Sequence, residues 1–297
     1  MIDFRELVKA GVHFGHQTSR WCPKMAPFIW GHRNNVHLID VSKTAHQMEK
    51  AAAFLENVAQ KGRPIMWIGT KKSAQDVIKV AAQRVEMPFV NYRWVGGTLS
   101  NYGQVKKSVT KMLHFEDVVQ KSEKYPHYTK KELNLFQKQL SRLEKNVGGI
   151  RGLTWPVGAL VLVDVNKEQA ALKEAIAMGV PVVAMVDTNS DPSLVDYAIP
   201  ANDDAPRSIK LVIDYLADAA LRGKEKRQTA QQEGTELLVD ESEVMEEPGL
   251  VLEDDLDQKD KGLRRTRREG DTGEKRSGAM KPRRPVGRTP NKGGGKR

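Results

Sequence analysis

The chain of 297 residues has a single cysteine, Cys22. This excludes an intrachain disulfide, a zinc ribbon and a CxxC redox pair, as expected of a protein from a reducing compartment. Long apolar runs are also lacking. The longest, such as Val157 to Val163, fall far short of the roughly 18 residues that cross a bilayer, so no membrane span is expected. The opening Met-Ile-Asp-Phe-Arg-Glu has no signal-peptide pattern, and a cytoplasmic protein is expected. GxGxxG and Walker phosphate loops, HExxH, and any legible Ser/His/Asp or Cys/His nucleophile arrangement are missing too. Common nucleotide-binding, zinc-hydrolase and acyl-transfer signatures are therefore absent.

What is present is enough apolar material for a core, at 39% hydrophobic residues, and an excess of positive charge, +10 with a sequence pI near 9.5. A polyanionic partner such as nucleic acid follows as a first expectation. The charge is unevenly spread. Glu233 to Asp260 holds twelve acidic residues and one basic, a net of −11, and Lys261 to Arg297 holds fourteen basic and three acidic, a net of +11. These blocks cancel, so the first 232 residues carry the whole +10. After about Lys226 apolar periodicity and aromatics both cease, and residues 227–297 are expected to be a disordered acidic-then-basic tail. Such a tail solubilises, pairs its two blocks, or grips phosphates with its basic end.

Strand and helix patterns alternate through the rest. Pro64 to Gly69, Phe89-Val90, Ala159 to Val163, Val182 to Val186 and Tyr197 to Ile199 read as short strands. Helical patterns follow over Ser73 to Glu86, Lys167 to Met178 and Pro206 to Leu221. Near-continuous aliphatic strands are those buried on both faces by crossover helices. The expected fold class is therefore α/β, a doubly wound, flavodoxin-like parallel sheet. Gln104 to Asn146 interrupts the alternation with two helical stripes around a Lys124 to Thr129 turn, and Thr129 to Glu132 forms a capping box. An antiparallel helix-pair protrusion is expected, the alternative being helices packed flat on the sheet. The chain thus divides into residues 1–103 and 147–226 as two parts of one α/β domain, 104–146 as the inserted helix pair, and 227–297 as the tail.

Ligand sites in such folds lie at the carboxyl ends of the strands. Lys71 and Lys72, after the first of these strands, stand at a helix start where a phosphate could bind, or are simply solvated. Arg93 and Trp94 with Gly96 and Gly97 follow the second. They suit a nucleic-acid backbone, unless Trp94 is a core anchor and the glycines only turn the chain. Asp187, Asp203 and Asp204 end the fourth and fifth strands on one sheet edge, where a divalent cation would relieve their repulsion; a cap or turn role fits each of them as well.

Five blocks together resemble a known family: Ala10 to Thr18 (AGVHFGHQT), Arg20 to Met25 (RWCPKM), His37 to Thr44 (HLIDVSKT), Arg93 to Leu99 (RWVGGTL) and Val182 to Pro192 (VVAMVDTNSDP). They are similar to the bacterial-type small-subunit ribosomal protein S2 family, in order from about residue 3 to 225. The resemblance implies an α/β domain with a coiled-coil protrusion, bound to small-subunit rRNA, with a docking role for the ribosomal protein built of repeated OB-folds. It implies no enzymatic activity and requires no cofactor, small-molecule substrate or membrane. Under it, Arg20, Lys24, Arg33, Lys71, Lys72, Arg93, Trp94, Lys106, Lys107 and Lys111 are expected to contact rRNA, mainly through phosphates. His16, whose loop the resemblance places near the aspartate edge, could join Asp187, Asp203 and Asp204 around a metal. One nitrogen and several carboxylate oxygens suit zinc better than magnesium. A nucleotide- or metal-dependent enzyme on the same sheet is the competing class.

Overall fold

The computed structural model describes residues 3–121 and 128–232. The expected tail from residue 233 onward and most of the Lys124 to Thr129 turn lie outside them.

Each strand of the main sheet reads apolar at nearly every position, and the structure shows why. β4 (Ile65–Ile68), β5 (Phe89–Val90), β6 (Ala159–Val163), β7 (Val182–Val186) and β8 (Tyr197–Pro200) pair in parallel, in the order β5-β4-β6-β7-β8. Counting these strands alone, this is the 2-1-3-4-5 order of flavodoxin-like sheets. Successive side chains alternate faces. Ile65, Trp67, Val161, Val163 and Met185 enter one core with α2 (Val41–Gln60), α3 (Gln75–Val85) and α7 (Pro206–Gln232). Met66, Ile68, Leu160, Leu162 and Ala184 enter a second core with α6 (Gln169–Ala177). Among the described residues no helix is long and apolar enough to cross a membrane.

Three features were not anticipated. The amino-terminal segment forms a short helix, α1 (Phe4–Ala10), and a small antiparallel sheet of β1 (Phe14–Gln17), β2 (Ile29–Arg33) and β3 (Val36–Ile39), ordered β1-β3-β2. Asn34 and Asn35 join β2 to β3 with positive φ at both, as a two-residue type I′ hairpin requires. The long α2 follows, capped by Asp40, which accepts from the Ser42 N–H. Finally, α7 continues to Gln232, past the expected boundary at 226. Its last turns are built of good helix formers that need no apolar stripe, so periodicity stops before the helix does. Gly223 explains how tightly α7 lies on α2: an added Cβ would meet the Glu56 carbonyl oxygen at 2.3 Å and the Ala59 Cβ at 2.7 Å.

Between β5 and β6, α4 (Tyr102–Gln120) and α5 (Lys130–Val147) pack together, and Thr129 and Glu132 form the expected capping box. Val105, Val109 and Met112 of α4 belong to the second core, with Leu140 and Leu143 of α5 packed against it. Farther along the pair, Phe115 and Phe136 stack with ring centroids 5.2 Å apart, and Tyr128 meets Phe136 edge-on at 5.0 Å.

Candidate functional site

Parallel pairing brings the loops after β4, β6, β7 and β8 to one edge. The topological switch point of the sheet, where such folds take ligands, lies between β4 and β6. Here it is filled by the chain's own side chains. Glu168, 2% exposed, accepts from the Thr70 N–H at 2.8 Å and the Thr70 hydroxyl at 2.6 Å, taking the donors that a phosphate would use. Burial holds the Glu168 carboxyl above its ordinary range, against the pull of the Thr70 bonds. Lys167 donates to the Thr70 carbonyl.

Lys71, expected in an exposed first turn, is instead caged. Its ammonium lies 3.3 Å from Asp164, 2.8 Å from Asp203 and 2.5 Å from Asp204, and its side chain is 20% exposed. Burial works against the charge, but the bonds to Asp203 and Asp204 prevail and raise the Lys71 pKa. Asp164 reaches it from a left-handed backbone position, φ 67°, at the end of β6. Neither Asp164 nor Glu168 was anticipated, although the β4-β6 pairing places both beside the β4 loop. Lys72, one residue on, is exposed.

The four expected metal donors do come together. One ligand atom from each of His16, Asp187, Asp203 and Asp204 lies within 4.8 Å of the others. His16 places Nδ1 3.0 Å from Asp187 and Nε2 3.3 Å from Asp204, and its backbone N–H donates to the Thr188 hydroxyl. β1 approaches this closely because residue 15 is glycine: a Cβ there would meet Thr188 side-chain atoms at 2.5 and 2.8 Å. The hydrogen bond to Asp187 raises the His16 pKa, against burial. Asp203 is fully buried, and its Oδ2 has no hydrogen-bond partner among the described residues. Burial, then the charges of Asp164 and Asp187, push its carboxyl up to about 7. The turn before α7 is held by Asn202, whose Oδ1 accepts from the N–H groups of Asp204 and Ala205. Asp191 does cap the 3-10 turn Pro192–Leu194.

The loop after β5 departs from the expected stacking site. Trp94 is 8% exposed within the second core, and its indole N–H donates to Glu174 at 3.0 Å. The N–H groups of Gly97, Leu99 and Ser100 donate to the same carboxylate. Burial opposes ionisation of Glu174, but these bonds outweigh it and lower its pKa. These four donors are thus satisfied internally, and Trp94 is the core anchor of the alternative reading. The remaining cations are scattered. Arg20, Arg33, Arg93, Lys107 and Lys111 are exposed, and Lys106 is half-buried. Lys111 lies 5.4 Å from the Phe115 ring centroid. Lys24 is exposed but paired to Asp191 at 2.5 Å, with a second bond to Ser193.

A family model described as "Ribosomal protein S2" matches residues 7–223.

Proposed function

Because the chain belongs to the ribosomal protein S2 family, whose members are structural proteins of the small ribosomal subunit, we propose that it binds small-subunit rRNA and helps dock the OB-fold-repeat ribosomal protein, as a ribosome-bound constituent of the cytoplasm. One observation supports this most. The crevice where this fold would take a small ligand is filled by Thr70, Glu168, Lys71 and Asp164, while Arg20, Arg33, Lys72, Arg93, Lys107 and Lys111 stand exposed on several separate elements. Dispersed cations suit a long polyanion, and a filled crevice suits neither catalysis nor nucleotide binding. Lys106, next to Lys107 on α4, belongs to the same reading, whereas Lys24, Lys71 and Trp94 act within the fold.

On this reading residues 104–146 are an insertion between the two parts of the α/β domain, and their distal half stands off the body. Past Met112, Phe115, Phe136 and Tyr128 pack on one another within the insertion, and from outside it Arg151 pairs with Glu116 at 2.7 Å. The aspartate edge is the docking surface for the OB-fold-repeat protein. Zinc fits its donors: His16 supplies one nitrogen and the carboxylates supply oxygens, including Asp203 Oδ2, which has no partner among the described residues. A bound cation would offset the excess of carboxylates over Lys71.

Sedimentation tests the function. The full chain should travel with small subunits through a sucrose gradient. Its release should steepen with salt, with roughly 0.7 to 0.9 in log-log slope for each phosphate neutralised. A free protein that turns over a nucleotide would refute the reading in favour of an enzyme.

A further inference from the structure

Trp21, His37 and His32 form a row of rings on and beside the amino-terminal sheet, and Trp30 lies on the same strand as His32. Trp21, 38% exposed, lies with its ring 5.2 Å from that of His37. His37 sits opposite His32 in the β2-β3 ladder, with ring centroids 6.4 Å apart and planes at 75°. Trp30, in the same strand as His32, stands at the register break between Ile29 and Gly31 and is 76% exposed. A tryptophan this exposed adds almost nothing to the core and leaves a large apolar face in water. His37 is 9% exposed, yet neither ring nitrogen has a hydrogen-bond partner among the described residues.

The charge around the row selects the partner. Between Glu6 and Asp40 the sequence contains no acidic residue. Arg20 and Arg33, neighbours of Trp21 and His32 in the chain, are exposed and form no ion pair among the described residues. Flat rings beside unpaired guanidinium groups match a base and its phosphate. A duplex cannot use the rings, because its bases are stacked on one another and only their edges are open. An unpaired base can.

We propose that the amino-terminal sheet is a stacking surface for unpaired RNA bases, with Trp30 and Trp21 as the platform and Arg20 and Arg33 holding the adjoining phosphates. This rests on the rRNA-binding reading and specifies which form of RNA is held there. A protein partner is the competing occupant.

The test uses the full-length protein and fluorescence anisotropy with a labelled short oligouridylate, an abasic oligomer of equal length and charge, and an RNA duplex. Trp30→Ala should weaken oligouridylate binding by roughly five- to a hundred-fold, and Trp30→Phe, which keeps a ring, should restore most of it. Binding of the abasic oligomer and of the duplex should be unchanged by either variant. Arg20→Ala and Arg33→Ala should each reduce the salt slope by about 0.7, whereas Trp30→Ala should leave it alone. Equal loss on the abasic oligomer, or no loss on oligouridylate, overturns the proposal. So does a Trp30→Ala variant that binds RNA normally but fails to dock the OB-fold-repeat protein on the subunit. If the wild type does not cosediment with small subunits, it is the rRNA reading itself that fails.

Discussion

Asp203→Asn should stabilise the protein at pH 8 and not at pH 5. Asp203 is fully buried, Lys71 satisfies one of its oxygens at 2.8 Å, and the other has no partner among the described residues. Its pKa rises from an ordinary 3.8 to about 7, chiefly through burial and then through the charges of Asp164 and Asp187. The folded state therefore holds this proton more tightly than the unfolded chain does. Stability from this group is fully present below the unfolded value near 4, falls as pH rises toward 7, and is flat above. At about 1.4 kcal/mol per tenfold, the ionised group weakens the fold at pH 8 by at most about 4 kcal/mol. Asparagine has nearly the same shape and cannot ionise. It puts a buried N–H donor where a carboxyl oxygen was, which takes back about 1–2 kcal/mol. The expected gain at pH 8 is thus about 1–3 kcal/mol, or roughly 2–4 °C in the thermal midpoint per kcal/mol for a domain of this size. At pH 5, where the wild-type carboxyl is already protonated, the variant should be equal or slightly less stable. Scanning calorimetry of both proteins at the two pH values, with chelator present, measures this. A variant less stable than wild type at pH 8 would refute the argument, because the ionised carboxylate would then be better compensated by Lys71 than its burial indicates. Repeating the pair with zinc addresses the metal: a midpoint raised by zinc in the wild type but not in Asp203→Asn supports the site, and no rise in either counts against it.

His16 works in the same direction. Its raised pKa contributes stability that is present below the ordinary value of 6.5 and lost as pH rises through the folded value; Asp187→Asn should lower the His16 pKa in an NMR titration, because the Asp187 bond is the largest cause. Lys71→Met should destabilise by about 2–4 kcal/mol in urea denaturation, since it strands buried Asp203, while Lys72→Ala should stay within about 0.5 kcal/mol and only shallow the salt slope of subunit binding. Glu174→Gln weakens the anchor of the 94–100 loop and should cost about 1–3 kcal/mol. Amide exchange should quicken at Gly97, Leu99 and Ser100. Gly223→Ala forces a Cβ to within 2.3 Å of the Glu56 carbonyl and should lower stability by about 1–3 kcal/mol. Gly103→Ala, in α4 with nothing within 4 Å, should raise it by up to about 1 kcal/mol; calorimetry of the two variants side by side distinguishes them.

Residues 7–223 and their motifs mark the family directly, and much of the fold was legible for a reason that survives inspection of single elements. A parallel strand covered on both faces must be apolar at successive positions, so the runs at β6 and β7 coincide with the strands residue for residue. The Thr129 capping box was readable because both of its partners lie within one turn. The small amino-terminal sheet was not recognised. Its strands are four or five residues long and mix polar with apolar positions, and its one local signal is the Asn34-Asn35 turn.

The site divides along the same line. Sequence alone placed carboxylates at the ends of β7 and β8 and cations along the chain, because residue type and strand end are local properties. It could not say that Lys71 would spend its charge on Asp164, Asp203 and Asp204, that Glu168 would occupy the donors of Thr70, or that Trp94 would turn inward to Glu174. Those partners lie far apart in the chain and meet only through the order β5-β4-β6-β7-β8. Local periodicity records which face of an element is buried and carries no information about which elements become neighbours. That order, set by packing across the whole sheet, decides which charges remain free to meet a partner.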